Sequence, residues 1–308
     1  MDESEEGGLP GPSPEELGLP EPEFMKGTML WMERGYRYAS EPPLDLLGRE
    51  ALSSSNPWIV LAATLEHAKQ GDHRPVGALL SQIPMGISTG VVDSAIELFG
   101  DAAPLDQLPQ LTRFMRPDVP SYIRVRACGA ACSSGMLEFI PAVLDVWQDL
   151  QTERGLIEVF LSDLLDEKVG GPICEGPRWD PYDDSPDADE RATKAYIEFV
   201  NYRSLELATQ ADASRTSFFQ GQPRSLARLI EMMRSLLSPS NDSADIGAQM
   251  ISWRHCFEAT TGVDCTGFYR KQSVQALTAS AIIEDLVAKT DLNKFQSGVR
   301  YFFGHAVP

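Results

Sequence analysis

Residues Asp118–Asp149 read DVPSYIRVRACGAACSSGMLEFIPAVLDVWQD, and this stretch decides the fold. It predicts two short helices folded back on one another. Ala127, Ala130 and Ala131 keep the first helix slim, so that neighbours can approach closely, while Ile140, Leu144 and Trp147 fill the gap from the second. The upstream stretch 92–114, VDSAIELFGDAAPLDQLPQLTRF, slides onto 124–146 in register. Ala95 falls on Ala127, Leu105 on Leu137, Leu108 on Ile140, Pro109 on Pro141 and Leu111 on Val143. The recurring proline sits where a helix start has few intrahelical bonds to lose, or else it bends the helix.

A two-helix unit recurring at this period is the mark of an α-solenoid, in which one unit cannot bury its own apolar face and stacks on the next. PWIVLAATLEHAKQGDHRPVGALLSQI fits loosely as an earlier unit, with Pro75 in the corresponding place. Its first helix has clear punctuation: Asn56 as N-cap, Pro57 at the first helical position and Gly71 past the end, with Ile59, Ala62, Ala63 and His67 on one face. From Pro57 onward the segments are 10–15 residues long and apolar at helical spacing, and none alternates convincingly as a strand. The expectation is an all-α chain, an α-solenoid of stacked helical hairpins. It has a solvated acidic Pro/Gly tail over 1–24 and a single domain over 25–308, with an acidic loop near 178–191. LNKFQSGVRYFFGHAVP at the end is apolar enough to dock on the last helices.

The formal charge is -19, from 26 Lys plus Arg against 45 Asp plus Glu. Such a field repels nucleic-acid phosphates and anionic lipid and steers cationic partners inward. Neither a nucleic acid nor a membrane is therefore expected as a partner. The N-terminus has acids where a signal peptide needs positive charge, and the longest apolar run, WIVLAATL, is too short to span a bilayer, so the expected location is the cytoplasm. Five scattered cysteines do not make a disulfide framework.

Motifs for phosphate, nucleotide or hydrolytic chemistry are absent from the sequence, which is read as non-enzymatic, with no cofactor and no metal. Cys128 and Cys132, four apart on a helix among alanines, read as small buried thiols, and His255, Cys256 and Cys265 as structural. His305, beside a glycine and aromatics, reads as a hydrogen-bonded anchor of the C-terminus. RSLARLIEMMR is locally basic, which suits a solvated outer face. The candidate partner-binding residues lie in the acidic loop: Trp179, Asp180, Tyr182, Asp183, Asp184, Asp187, Asp189 and Glu190. Aromatics can anchor an interface there while carboxylates steer a basic partner.

The hairpin units over 57–167 resemble HEAT-like repeats. The closing segments WRHCFEATTGVDCTGFY, LTASAIIEDLV and SGVRYFFGHAVP resemble the end of HEAT-like-repeat immunity proteins from bacterial polymorphic toxin systems. Trp253, Phe257 and the stretch 298–308 carry that likeness. It implies a protein that neutralises a cognate toxin domain by stoichiometric binding. A HEAT-like scaffold or regulator without enzymatic activity is the alternative.

Overall fold

The computed structural model of the chain describes residues 20–82, 89–165, 188–210, 212, 214–238 and 246–308. They form eleven α-helices: α1 (Arg49–Leu52), α2 (Pro57–Lys69), α3 (Arg74–Gln82), α4 (Thr89–Ala102), α5 (Ser121–Ser134), α6 (Ile140–Asp149), α7 (Arg154–Leu165), α8 (Ala188–Ala208), α9 (Leu226–Leu236), α10 (Ile246–Thr261) and α11 (Ala276–Lys289). None of the described helices is long and apolar enough to cross a membrane.

The expected punctuation is present. The Asn56 side chain accepts from the Trp58 amide at 3.0 Å, and Gly71 follows α2 at φ +82°. α5 ends on Gly135 in the left-handed region. α2 is buried on nearly every side, more than the single stripe through Ile59 suggested, because α1, α3, α4 and the segment 24–39 surround it.

Three of the five aligned pairs are buried in both stretches, Ala95 with Ala127, Leu108 with Ile140, and Leu111 with Val143; Leu105 is half-buried where Leu137 is buried, and Pro109 and Pro141 are exposed. α4 and α5 pack side by side, α7 lies against the other side of α5, and α2 lies against α4. The second helices differ in kind. Residues 108–114 form a 3-10 helix, whereas 140–149 form an α-helix preceded by one 3-10 turn. At Gly100, a methyl group would stand 2.6 Å from the Ala130 carbonyl oxygen, so α4 and α5 touch backbone to backbone there.

Among the described residues, three β-hairpins with two-residue strands punctuate a structure that is otherwise mostly helical. They pair Phe218–Phe219 (β1) with Gln222–Pro223 (β2), Tyr269–Arg270 (β3) with Ser273–Val274 (β4), and Tyr301–Phe302 (β5) with His305–Ala306 (β6). Two-residue strands are too short to show alternation. Each turn puts both central residues at positive φ: Gln220 and Gly221, Lys271 and Gln272, Phe303 and Gly304. That conformation matches the right-handed strand twist.

Two apolar clusters form the interior. One runs from Phe24 to Leu207 and takes in Phe218, Ala259, Phe302 and Val307; the other is built by α9, α10, α11 and the hairpin between the last two. Phe24, at the boundary of the expected tail, is buried and its ring lies 5.7 Å from that of Tyr38. The C-terminal segment does not merely dock on the last helices. It crosses back to α4, where buried Arg300 donates to the carbonyls of Gly100 (2.6 Å) and Ala103 (2.7 Å), and the Leu105 amide donates to Pro308 at 2.8 Å. Arg300 thus satisfies carbonyls at the C-terminal end of α4 that have no intrahelical partner.

Candidate functional site

A buried polar cluster forms where α4, α5, α10 and the segment 24–39 meet. Asp101, near the end of α4, is its centre. His255 Nε2 of α10 lies 2.6 Å from Asp101 Oδ2, the Tyr36 hydroxyl donates to the same oxygen, and Ser133 Oγ of α5 donates to Oδ1 at 2.7 Å. One turn back on α4, Glu97 accepts from the Trp31 indole and lies 3.6 Å from His255 Nδ1. The Trp31 ring covers the imidazole, with centroids 4.5 Å apart.

A second knot joins α10 to the same segment. Arg254 and Glu258, one turn apart and both fully buried, are 2.9 Å apart. Arg254 also donates to the Trp31 carbonyl, and the Tyr36 amide donates to Glu258 at 3.2 Å. Gly35 sits at φ +59°, and a methyl group there would lie 2.1 Å from Glu258 Oε2. Only glycine lets the backbone reach this carboxylate.

The local fields divide these acids. Burial pushes the Asp101 carboxyl up, but His255 beside it and hydrogen bonds from His255, Tyr36 and Ser133 outweigh that and hold it at about 2. Burial dominates at Glu97, which rises to about 7 despite His255 and Trp31. Burial works against the His255 cation, yet Asp101 and Glu97 prevail and its pKa is raised. Tyr36 is pushed well above the ordinary phenol range by burial and by Asp101.

His255 also borders a small crevice of about 40 Å³, whose other walls include Trp31, Gly129, Phe160, Asp163 and Arg224. Asp163 of α7 is raised to about 6 by burial, which the hydrogen bonds from Ser252 and Gln220 only partly offset. Groups that titrate near neutrality beside a crevice are a recognised signal of a working site, although ion-pair networks that hold a fold together produce the same signal. Each polar atom of the Asp101 cluster named above is engaged by another part of the chain, so the cluster latches α10 and the N-terminal segment onto α4 and α5. Among the described residues, no group of three or more His, Cys, Asp or Glu is placed to hold a metal ion.

Of the loop residues read as partner-binding, Trp179, Asp180, Tyr182, Asp183, Asp184 and Asp187 lie outside the described residues. Asp189 and Glu190 occupy the exposed first turn of α8, where negative charge complements the helix dipole, and Asp189 lies 3.6 Å from Arg154. Cys128, Cys132, Cys256 and Cys265 are buried free thiols. His305 is exposed, with its ring packed over Gly71. Arg300, the Pro308 carbonyl and the amides of Phe303 and Gly304, which donate to Ala259 and Thr260 at 2.7 and 2.8 Å, anchor the terminus.

Asp101, Glu97, Trp31, Tyr36 and Asp163 were not singled out from the sequence. The usable signal was Asp101 itself, a carboxylate set among Leu98, Phe99, Ala102 and Ala103, all fully buried. An acid there needs a partner. No protein-family model, curated protein or solved structure matches the chain.

Proposed function

We propose that this chain is an immunity-type protein that binds a basic toxin domain one to one and masks it, without catalysis of its own. We further propose that residues 57–165 are arranged as a stack of HEAT-like hairpin units, giving a broad rigid surface for that purpose. The observation that carries the reading is the charge of -19 on a largely helical chain that also exposes large apolar side chains, among them Tyr122, Leu156, Val159, Tyr202 and Leu205. Acidic surfaces speed encounter with a cationic partner, and exposed aromatic and aliphatic groups set the lifetime of the complex.

The internal role of the buried Asp101–His255 cluster supports a binding rather than a chemical task. So does the resemblance of the closing segment, although Phe257, Phe302 and Arg300 serve the fold rather than the surface.

The test is co-expression with each toxin domain encoded beside the gene. Rescue of growth, a one-to-one complex on a sizing column, and an association rate that falls as salt rises are the expected results. Several non-toxic partners and no rescue would instead favour a scaffold or regulator.

A further inference from the structure

α5 packs against both α4 and α7, and α5 and α7 meet in a shared face where Gly129 lies against Phe160. Its rim is apolar and exposed: Tyr122 on α5 is 44% exposed, and Leu156 and Val159 on α7 are 47% and 50% exposed. Its floor is shallow, because Gly129 has no side chain and lies against the Phe160 ring, 3.1 Å from where a methyl carbon would stand. From this floor the small crevice opens toward Trp31, Asp163 and His255.

Carboxylates on this face lack full compensation. Arg126 lies 3.6 Å from Asp93 Oδ2, while the buried Asp93 Oδ1 has no hydrogen-bond partner. Asp163 is held by neutral donors only, the Gln220 side-chain amide at 3.1 Å and Ser252, whereas Glu97 accepts from the Trp31 indole and has His255 Nδ1 3.6 Å away. The cations nearby are Arg126, Arg224 and His255; the Arg224 guanidinium is turned to the Ser133 carbonyl, and His255 is engaged by Asp101. Burial raises all three acids, against Arg126 at Asp93 and His255 at Glu97, while at Asp163 only neutral donors oppose it, which is the behaviour of an acid short of a counter-charge. An arriving guanidinium would supply that charge, and its planar fork suits a carboxylate.

We propose that this face is the docking surface for the basic partner, and that it receives a protein segment carrying an arginine flanked by apolar side chains. The proposal rests on the toxin-binding reading above and gives it a location distinct from the acidic loop. The loop would steer the approach, and the face would hold the complex.

The first test uses a capped tetra-arginine amide as the ligand, added to the isotope-labelled full chain at about 0.15 M salt, where weak surface attraction is screened. Backbone amides of 122–133 and 156–163 and the Trp31 indole should shift together. The exposed double variant Leu156→Lys/Val159→Lys should keep its melting temperature and lose roughly tenfold in apparent affinity, as expected when repulsive charge enters an interface. Shifts centred on α8 or α11, or no localised shifts, would overturn the proposal.

A second test separates the face from the toxin reading. If the native chain and the double variant rescue cells from a toxin equally well, the toxin reading stands and the face is wrong. If tetra-arginine maps to the face while no encoded toxin is neutralised, the face stands and the toxin reading fails.

Discussion

Asp101 is bonded to three side chains from three different segments, so its removal exposes the logic of the cluster at single-residue scale. Asp101→Asn should destabilise the protein by about 3–5 kcal/mol in urea unfolding, because it leaves the buried His255 without its counter-charge. The double variant Asp101→Asn/His255→Gln should recover part of that loss, which a double-mutant cycle would measure. Glu97 makes the opposite kind of prediction. Its pKa is about 7 in the folded chain against an ordinary 4.5, so the folded state holds the proton more tightly. The stabilisation is complete below about pH 4.5 and is lost as pH rises through about 7. His255, also raised, adds a loss in the same direction above its ordinary 6.5. Asp101 acts at the other end: held at about 2, it contributes stability above 3.8 that disappears as pH falls through 2. Urea midpoints should therefore fall between pH 5 and pH 8. Glu97→Gln, which still accepts from Trp31, should flatten that slope and raise the midpoint at pH 8.

Among the elements, helix contacts set how much each glycine tolerates. Gly100→Ala would drive a methyl group into the Ala130 backbone, and should cost about 1–3 kcal/mol by forcing α4 and α5 apart. Gly155→Ala, in the first turn of α7 with nothing within 4 Å of the new methyl, should stabilise by about 0.5–1 kcal/mol. Chemical denaturation of the two variants should move in opposite directions. Both glycines look alike in the sequence, and only the neighbouring helix distinguishes them. The recurrence was legible because small and large residues return at matching places, three of which (Ala95/Ala127, Leu108/Ile140 and Leu111/Val143) are buried in both stretches. The 3-10 form of 108–114 was not legible, since its apolar spacing suits either helix. The hairpins were hidden for a different reason: positive φ at Lys271, Gln272 and Phe303 belongs to no residue preference and is imposed by the turn's surroundings.

For the molecule as a whole, the C-terminal segment closes the structure onto its own beginning. Arg300, its pKa lowered to about 9 mainly by burial, ties the end of the chain to α4, while His255 and Arg254 tie α10 to α4 and to Trp31. The two apolar clusters should accordingly unfold in one transition. Arg300→Met should cost about 2–3 kcal/mol through the stranded carbonyls of Gly100 and Ala103 and make 301–308 sensitive to carboxypeptidase. Combined with Asp101→Asn, it should split calorimetric unfolding into two steps, the second cluster separating from the first.

The sequence by itself determined the helical class, the helix starts at Asn56 and Pro57, the related hairpins and the strongly acidic balance. Each of these follows from local spacing or from composition, which any neighbourhood leaves intact. Tertiary structure alone decided that Asp101 meets His255, that Arg300 caps α4, and that burial raises Glu97 and Asp163 toward neutrality. These pairings join residues separated by more than 150 positions in the case of Asp101 and His255. Burial, which sets their charge, is a property of what the rest of the chain brings alongside.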